Sequence, residues 1–361
     1  MIWNMCLLLA AVFAPPHHAK LVAPATTQPV LLFPQRMGVS PPASQPAPTL
    51  NILAAQQDRI DLSPWNTYVV TSAVIWQSRS NITVDGHGAT VLVDPSTSIS
   101  QTEGSTFIFS SCSHVRVRNI HFDSQRQLRP GSWNANPQTL YLIKCRDVTV
   151  EDCTFTNDVC DGVYGWGGGS PSFGDECRDI RVLRCTFDNS GRNAISFTAA
   201  AFVSIDHCEF RHIRAAMTTI NAGVDIEPNP TDPPGMCHDI HISNCTAVDC
   251  VFGLTGFNPS GTYNLVFVGN TVAYCDYGII TEHSGTIIHD NTVVGAAIYA
   301  DNCDAAKVYN NTIVGTEPSC CIYIDNTHVP PPLVGHWVYG NKVHSVVGNL
   351  APPNIVLSNN P

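Results

Sequence analysis

Asp225 and Glu227 flank a single apolar residue in the segment NAGVDIEPN, residues 221–229. Apolar Val224 and Ile226 alternate with the two acids, which is the period-two pattern of a strand with one buried face. On such a strand both carboxylates leave the same outer face, about 6.5–7 Å apart at the backbone. Two carboxyl groups so placed divide general acid and general base work when their surroundings drive their pKa values apart. The spacing straddles the retaining and inverting ranges of glycosidases, so it does not set the stereochemistry. Alternating acids are otherwise simply a solvated face. What singles this strand out is its place in a repeat whose other copies mostly carry no acid there.

The repeat runs from about Thr67. One element reads HVRVRNIHF (114–122), DVTVEDCTF (147–155), DIRVLRCTF (179–187), FVSIDHCEF (202–210) and DIHISNCTA (239–247). It continues as NLVFVGNTV, TIIHDNTV, AKVYNNTI and HWVYGNKV. Alignment puts Ile120, Cys153, Cys185, Cys208, Cys245, Asn270, Asn291, Asn311 and Asn341 in one column, at steps of 20 to 37 residues. A second short strand follows most copies: VYGW (163–166), ISFT (195–198), VDIE (224–227), LTGF (254–257), IITE (279–282), IYAD (298–301) and IYID (322–325). Short strands repeated without a helical period between them suit a solenoid whose turns stack about 4.8 Å apart. The pattern resembles the right-handed parallel β-helix of the pectin-lyase-like superfamily over roughly residues 67–350. The resemblance implies an all-β fold of about ten coils and is not specific for activity. Gly86-His87-Gly88 copies a tripeptide of polygalacturonases but sits in the first coil, far from the acids, and reads as a turn. The other polygalacturonase motifs are not present at matching coils.

Sorted by parity, the second strand presents two outward columns. The first is Tyr141, Tyr164, Ser196, Asp225, Thr255, Ile280, Tyr299 and Tyr323; the second is Ile143, Trp166, Thr198, Glu227, Phe257, Glu282, Asp301 and Asp325. Rings interleaved with acids suit a sugar-binding groove, where aromatic faces stack on pyranoses and carboxylates hold hydroxyls. Trp166, Tyr164, Thr198, Phe257, Glu282 and Tyr299 are the expected substrate-binding residues. The same stripe equally suits contact with another chain. Two long loops, 167–176 and 228–236, flank the short turn after Thr198 and would wall the groove. Arg192 is placed to reach Asp225 from one turn away, either as part of the catalytic set or as its structural partner. Asp161 is a further candidate acid. A lyase would instead need calcium or an Arg to neutralise a uronate, with Arg192, Arg214 and His212 as the candidates.

Composition narrows the classes. The chain has 361 residues, 13% of them charged, and a formal net charge of -11, which disfavours a nucleic-acid partner. Residues 1–19 read as a signal-peptide-like segment, because Trp3–Ala14 is almost all apolar yet too short to span a bilayer. Residues 20–50 read as a Pro/Ala/Gln-rich linker and 51–361 as the β-helix. The 15 cysteines lack zinc-site spacing and read as structural thiols. No metal site or cofactor is expected, save calcium if the chain is a lyase. The expected function is a secreted or surface enzyme acting on a polysaccharide, a glycoside hydrolase ahead of a lyase or epimerase. The other class is a non-catalytic, adhesin-type β-helix that binds glycan.

Overall fold

The computed structural model describes residues 47–50, 57–97, 104–129, 137–168, 171–172, 174–215, 220–229, 232–233, 235–257, 262–315, 320–325, 335–343, 345–348 and the backbone of 355–358. The contacts divide the chain between Pro46 and Ala47, and every described residue belongs to the second unit. The expected signal segment and nearly all of the expected linker lie outside the described residues.

The chain winds into a right-handed parallel β-helix. Its strands form a broad sheet of 20 strands and a narrow sheet of 11, with no α-helix among the described residues. A typical turn contributes Ala222–Ile226 to the narrow sheet, then Cys237–Ser243 and Thr246–Val248 to the broad one. Each strand pairs in parallel with its counterpart one turn away, so a residue stacks on its equivalent in the repeat.

Local chemistry explains the bend within the broad sheet. The residue just before the Cys/Asn column has positive φ in every aligned turn: Asn119, Asp152, Arg184, His207, Asn244, Gly269, Asp290, Asn310 and Gly340 lie between 52° and 66°. Asn, Asp and Gly tolerate this left-handed conformation best, which is why they recur there. The bend breaks the strand ladder, and the column side chains repair it. Asn270 donates to the carbonyl of Ile242 and to Asn291, Asn291 to Asn311, and Asn311 to Asn341, at 2.9–3.0 Å. Where cysteine holds the column, its thiol faces carbonyls of its own and the preceding turn, as Cys185 does with Leu183 and Val150. All 14 described cysteines are free and buried.

The interior is a stack of rings and aliphatic side chains. Phe122, Phe155, Phe187 and Phe210 succeed one another at centroid distances of 5.1, 4.5 and 5.6 Å. Each such ring contributes about 1.5–3 kcal/mol by leaving water. The Gly86-His87-Gly88 tripeptide lies within the strand Ser80–Val93, where the register shifts between Asp85 and Ala89. A Cβ at Gly86 would come within 2.3 Å of the Asn119 carbonyl oxygen, so glycine is required by that close approach.

Candidate active site

The narrow sheet carries the outward columns in the expected register. Tyr141 pairs with Tyr164, Tyr164 with Ser196, Ser196 with Asp225, Asp225 with Thr255, Thr255 with Ile280, Ile280 with Tyr299 and Tyr299 with Tyr323. The second column continues one position beyond the strands. The N–H groups of Thr198, Glu227, Phe257, Glu282, Asp301 and Asp325 donate to Gly165, Phe197, Ile226, Gly256, Thr281 and Ala300. Trp166 belongs to a small apolar cluster separate from the core, with Ala73, Ile108, Tyr141, Ile143 and Tyr164. It lies over Tyr141 at 6.2 Å, nearly parallel, and therefore stands on the outer face.

The two central acids differ in surroundings. Parity places Asp225 on the outer face, but it is only 1% exposed, so it forms part of the groove's buried floor rather than its open surface. Asn193 Nδ2 donates to its Oδ2 at 2.9 Å, and Thr255 Oγ1 lies 3.1 Å from its Oδ1. Glu227 is half-buried, and among the described residues no side chain pairs with or hydrogen-bonds its carboxyl. Burial raises the proton affinity of both acids above the ordinary carboxylate range; Asp225, whenever it is ionised, and the Glu282 carboxyl raise Glu227 further.

Arg192 departs from expectation. Its guanidinium does not bond Asp225 but clamps Asp161, with Nε on Oδ1 at 2.8 Å and Nη2 on Oδ2. Asp161 also accepts from the Asn193 backbone N–H at 2.9 Å and is fully buried. The Arg192 guanidinium sits 5.6 Å over the Tyr164 ring. Asp161 lies at the turn just before its narrow strand, level with Arg192 one turn on, whereas Asp225 lies within the narrow strand of the turn on the other side of Arg192. Arg192 therefore acts on Asp225 only through space, by lowering its proton affinity.

The remaining expected residues divide between groove and support. Thr198 accepts or donates a 3.2 Å bond with Tyr164 Oη. Phe257 meets Phe252 edge-on at 5.5 Å, and Tyr299 packs between Tyr277 and Tyr323, each at 5.9 Å. Glu282 is buried two rungs from Glu227. The other proposed cations are engaged elsewhere: Arg214 pairs with Asp249 and Asp276, and His212 with Asp188. Parts of both long loops, residues 169–170, 173, 230–231 and 234, lie outside the described residues. The described side chains close enough to share a cation are Asp61, Asp85 and His87, in the first turns, where Arg59 and Arg118 already pair with the two acids.

Three supporting residues were not among the expected site residues. Asn193 links Asp161, Asp225 and the Ala222 N–H, and Thr255 shares a rung with Asp225. His283 is fully buried, with Nε2 3.3 Å from the Ile226 carbonyl oxygen, and burial pushes its pKa down to about 4. Its ring lies against Gly256, where a Cβ would come within 2.7 Å. The parity pattern already contained Thr255; nothing in local sequence marks Asn193 or His283.

Comparison with known proteins agrees with this architecture. The family model for the right handed beta helix region matches residues 64–230 and 133–313. The chain belongs to that family. Compared by sequence with the curated proteins, it matches none. Among solved structures it is similar to the tailspike protein of E. coli bacteriophage HK620 in complex with pentasaccharide: TM-score 0.55, 14% identity, 85% of this chain and 59% of that one. A mutant of that tailspike aligns at TM-score 0.62 and 13% identity, again over 85% and 59%. A tailspike protein gp49 from Acinetobacter baumannii bacteriophage Fri1, a capsular polysaccharide depolymerase, aligns at TM-score 0.54 and 16% identity over 84% of this chain and 56% of that one. The chain thus spans less than two thirds of each tailspike, and at these identities the likeness is one of fold.

Proposed function

We propose that this chain is a secreted or surface-exposed enzyme that hydrolyses a polysaccharide in the groove along its narrow sheet. The observation that carries the reading is Glu227: a half-buried carboxyl with raised proton affinity and no described partner, on the face that bears Trp166, Tyr164, Thr198 and Phe257. A carboxyl held protonated near neutral pH can give its proton to a glycosidic oxygen as the bond to the anomeric carbon breaks. Glu282, two rungs on, is the proposed base that takes a proton from the attacking water. Two rungs of about 4.8 Å set the backbones about 9.6 Å apart. That suits the separation of about 6.5–9.5 Å between the carboxyl groups of inverting glycosidases. The Phe257 ring stands on the intervening rung, where a sugar face would rest.

The pentasaccharide bound in one similar structure and the identity of another as a capsular polysaccharide depolymerase support a polysaccharide as the substrate class. A lyase is less well supported, because Arg192, Arg214 and His212 all pair with the protein's own acids. The purified protein should be screened against a polysaccharide panel with parallel readouts for reducing ends and for unsaturated products. New reducing ends without unsaturated absorbance are expected. Unsaturated products would replace the hydrolase with a lyase, and tight binding without cleavage would replace it with a glycan-binding module.

A further inference from the structure

Thr255 has one hydroxyl hydrogen and two oxygens within its reach. Its Oγ1 lies 3.0 Å from the Val224 carbonyl oxygen and 3.1 Å from Asp225 Oδ1. A carbonyl oxygen has no hydrogen to give, so the contact with Val224 closes only if the hydroxyl donates to it. The contact with Asp225 then needs a hydrogen from the carboxyl side. The other carboxyl oxygen is differently placed. Oδ2 faces Asn193 Nδ2 at 2.9 Å, and the Asn193 amide cannot be turned over, because its Oδ1 accepts from Ala222 N–H at 2.9 Å.

We propose that Asp225 is a neutral, protonated positioning residue: its Oδ1–H donates to Thr255 Oγ1 and its Oδ2 accepts from Asn193. The charged groups around it fit this assignment. On the side toward lower turns, Arg192 directs two of its nitrogens to Asp161 rather than to Asp225. On its own strand it faces only Glu227, with Glu282 beyond, and the nearby Cys237 thiol is itself raised by burial. Burial is the largest influence on Asp225 and favours the proton, and Asp161 adds to it, while the Arg192 charge and the Asn193 amide oppose it. The consequence for the groove rests on the hydrolase reading: a neutral Asp225 does not add a negative charge beside Glu227, so Glu227 can lose and regain its proton during turnover. The protonation itself stands apart from that reading.

Asp225→Asn isolates the proton, since an amide also donates to Thr255 and accepts from Asn193. Infrared difference spectra of the full chain, native minus Asp225→Asn, are to be recorded at a pH of ~5.5, above the ordinary carboxylate range. They should show a carboxylic-acid carbonyl band that Glu227→Gln does not remove at that frequency. Thr255→Val should shift this band by taking away its acceptor. Subtraction also cancels Asp158, a second buried acid pushed up to about 6. The linkage has a definite sign. A raised carboxyl contributes stability that is full below its unfolded pKa and is lost as pH rises through its folded pKa. Asp225→Asn should therefore be flatter than the native chain in stability over that rise. A carboxylate rather than an acid band in the difference spectrum, or a stability profile no flatter in Asp225→Asn, overturns the proposal. Neither readout uses turnover, so a failure here is separable from a failure of the hydrolase reading.

Discussion

Acids on the broad sheet and acids on the narrow sheet receive opposite treatment. Around Glu151 the broad sheet lines up Arg116, Arg118, Arg181 and Arg184 with Asp147 and Asp152 on neighbouring rungs. Arg184 donates twice to Asp152 at 2.8 Å and once to Glu151, and this guanidinium is the main reason the Asp152 carboxyl lies below its ordinary range. On the narrow sheet the rung neighbours of Asp225 are Ser196 and Thr255, and the column neighbours of Glu227 are Thr198 and Phe257. No cation occupies either column there among the described residues. Since parallel stacking puts each side chain beside its counterpart one turn away, a column's composition sets the protonation of its acids. The broad sheet pairs its acids with cations; the narrow sheet leaves Asp225 and Glu227 without a directly bonded cation among the described residues.

Three substitutions sharpen the contrast. The larger effect belongs to Arg192, whose partner Asp161 is fully buried. Arg192→Leu strands that carboxyl and should cost about 3–5 kcal/mol, read by equilibrium denaturation. Asp161→Asn in the same chain should recover much of the loss, and an additive double variant would show that the two do not act as a pair. Arg184→Ala on the broad sheet should cost only about 0–1 kcal/mol despite its three hydrogen bonds, because its side chain is 52% exposed and solvent screens the pair. That small effect should fade further at high salt. A cost at Arg184 equal to that at Arg192 would erase the distinction between the sheets.

The repeat made the architecture and the outward columns legible, because in-register stacking converts a sequence alignment directly into neighbours in space. Trp166, Asp225, Glu227 and Glu282 fall on the rungs that parity assigned to them. Burial was less legible. Asp225 points outward yet is covered, and a period-two pattern reports which face a residue takes, not how deeply neighbouring turns enclose it. The partner of Arg192 was misjudged for a related reason. Asp161 and Arg192 both lie in corners just before the narrow strands, outside the aligned repeat segments, so spacing alone favoured the more conspicuous Asp225. Asn193 is legible only after the fold is known, since its role depends on three contacts separated by 29 to 32 residues.

Turnover of Glu227→Gln, on whichever polysaccharide the native chain cleaves, tests the central claim most directly. The amide keeps the shape of the side chain and removes its transferable proton. The expected result is a fall in kcat of about 10²–10⁴-fold, the usual contribution of general acid catalysis, with the melting temperature nearly unchanged. Native turnover in a correctly folded Glu227→Gln chain would contradict the account and remove the half-buried carboxyl of the narrow sheet as the proton donor.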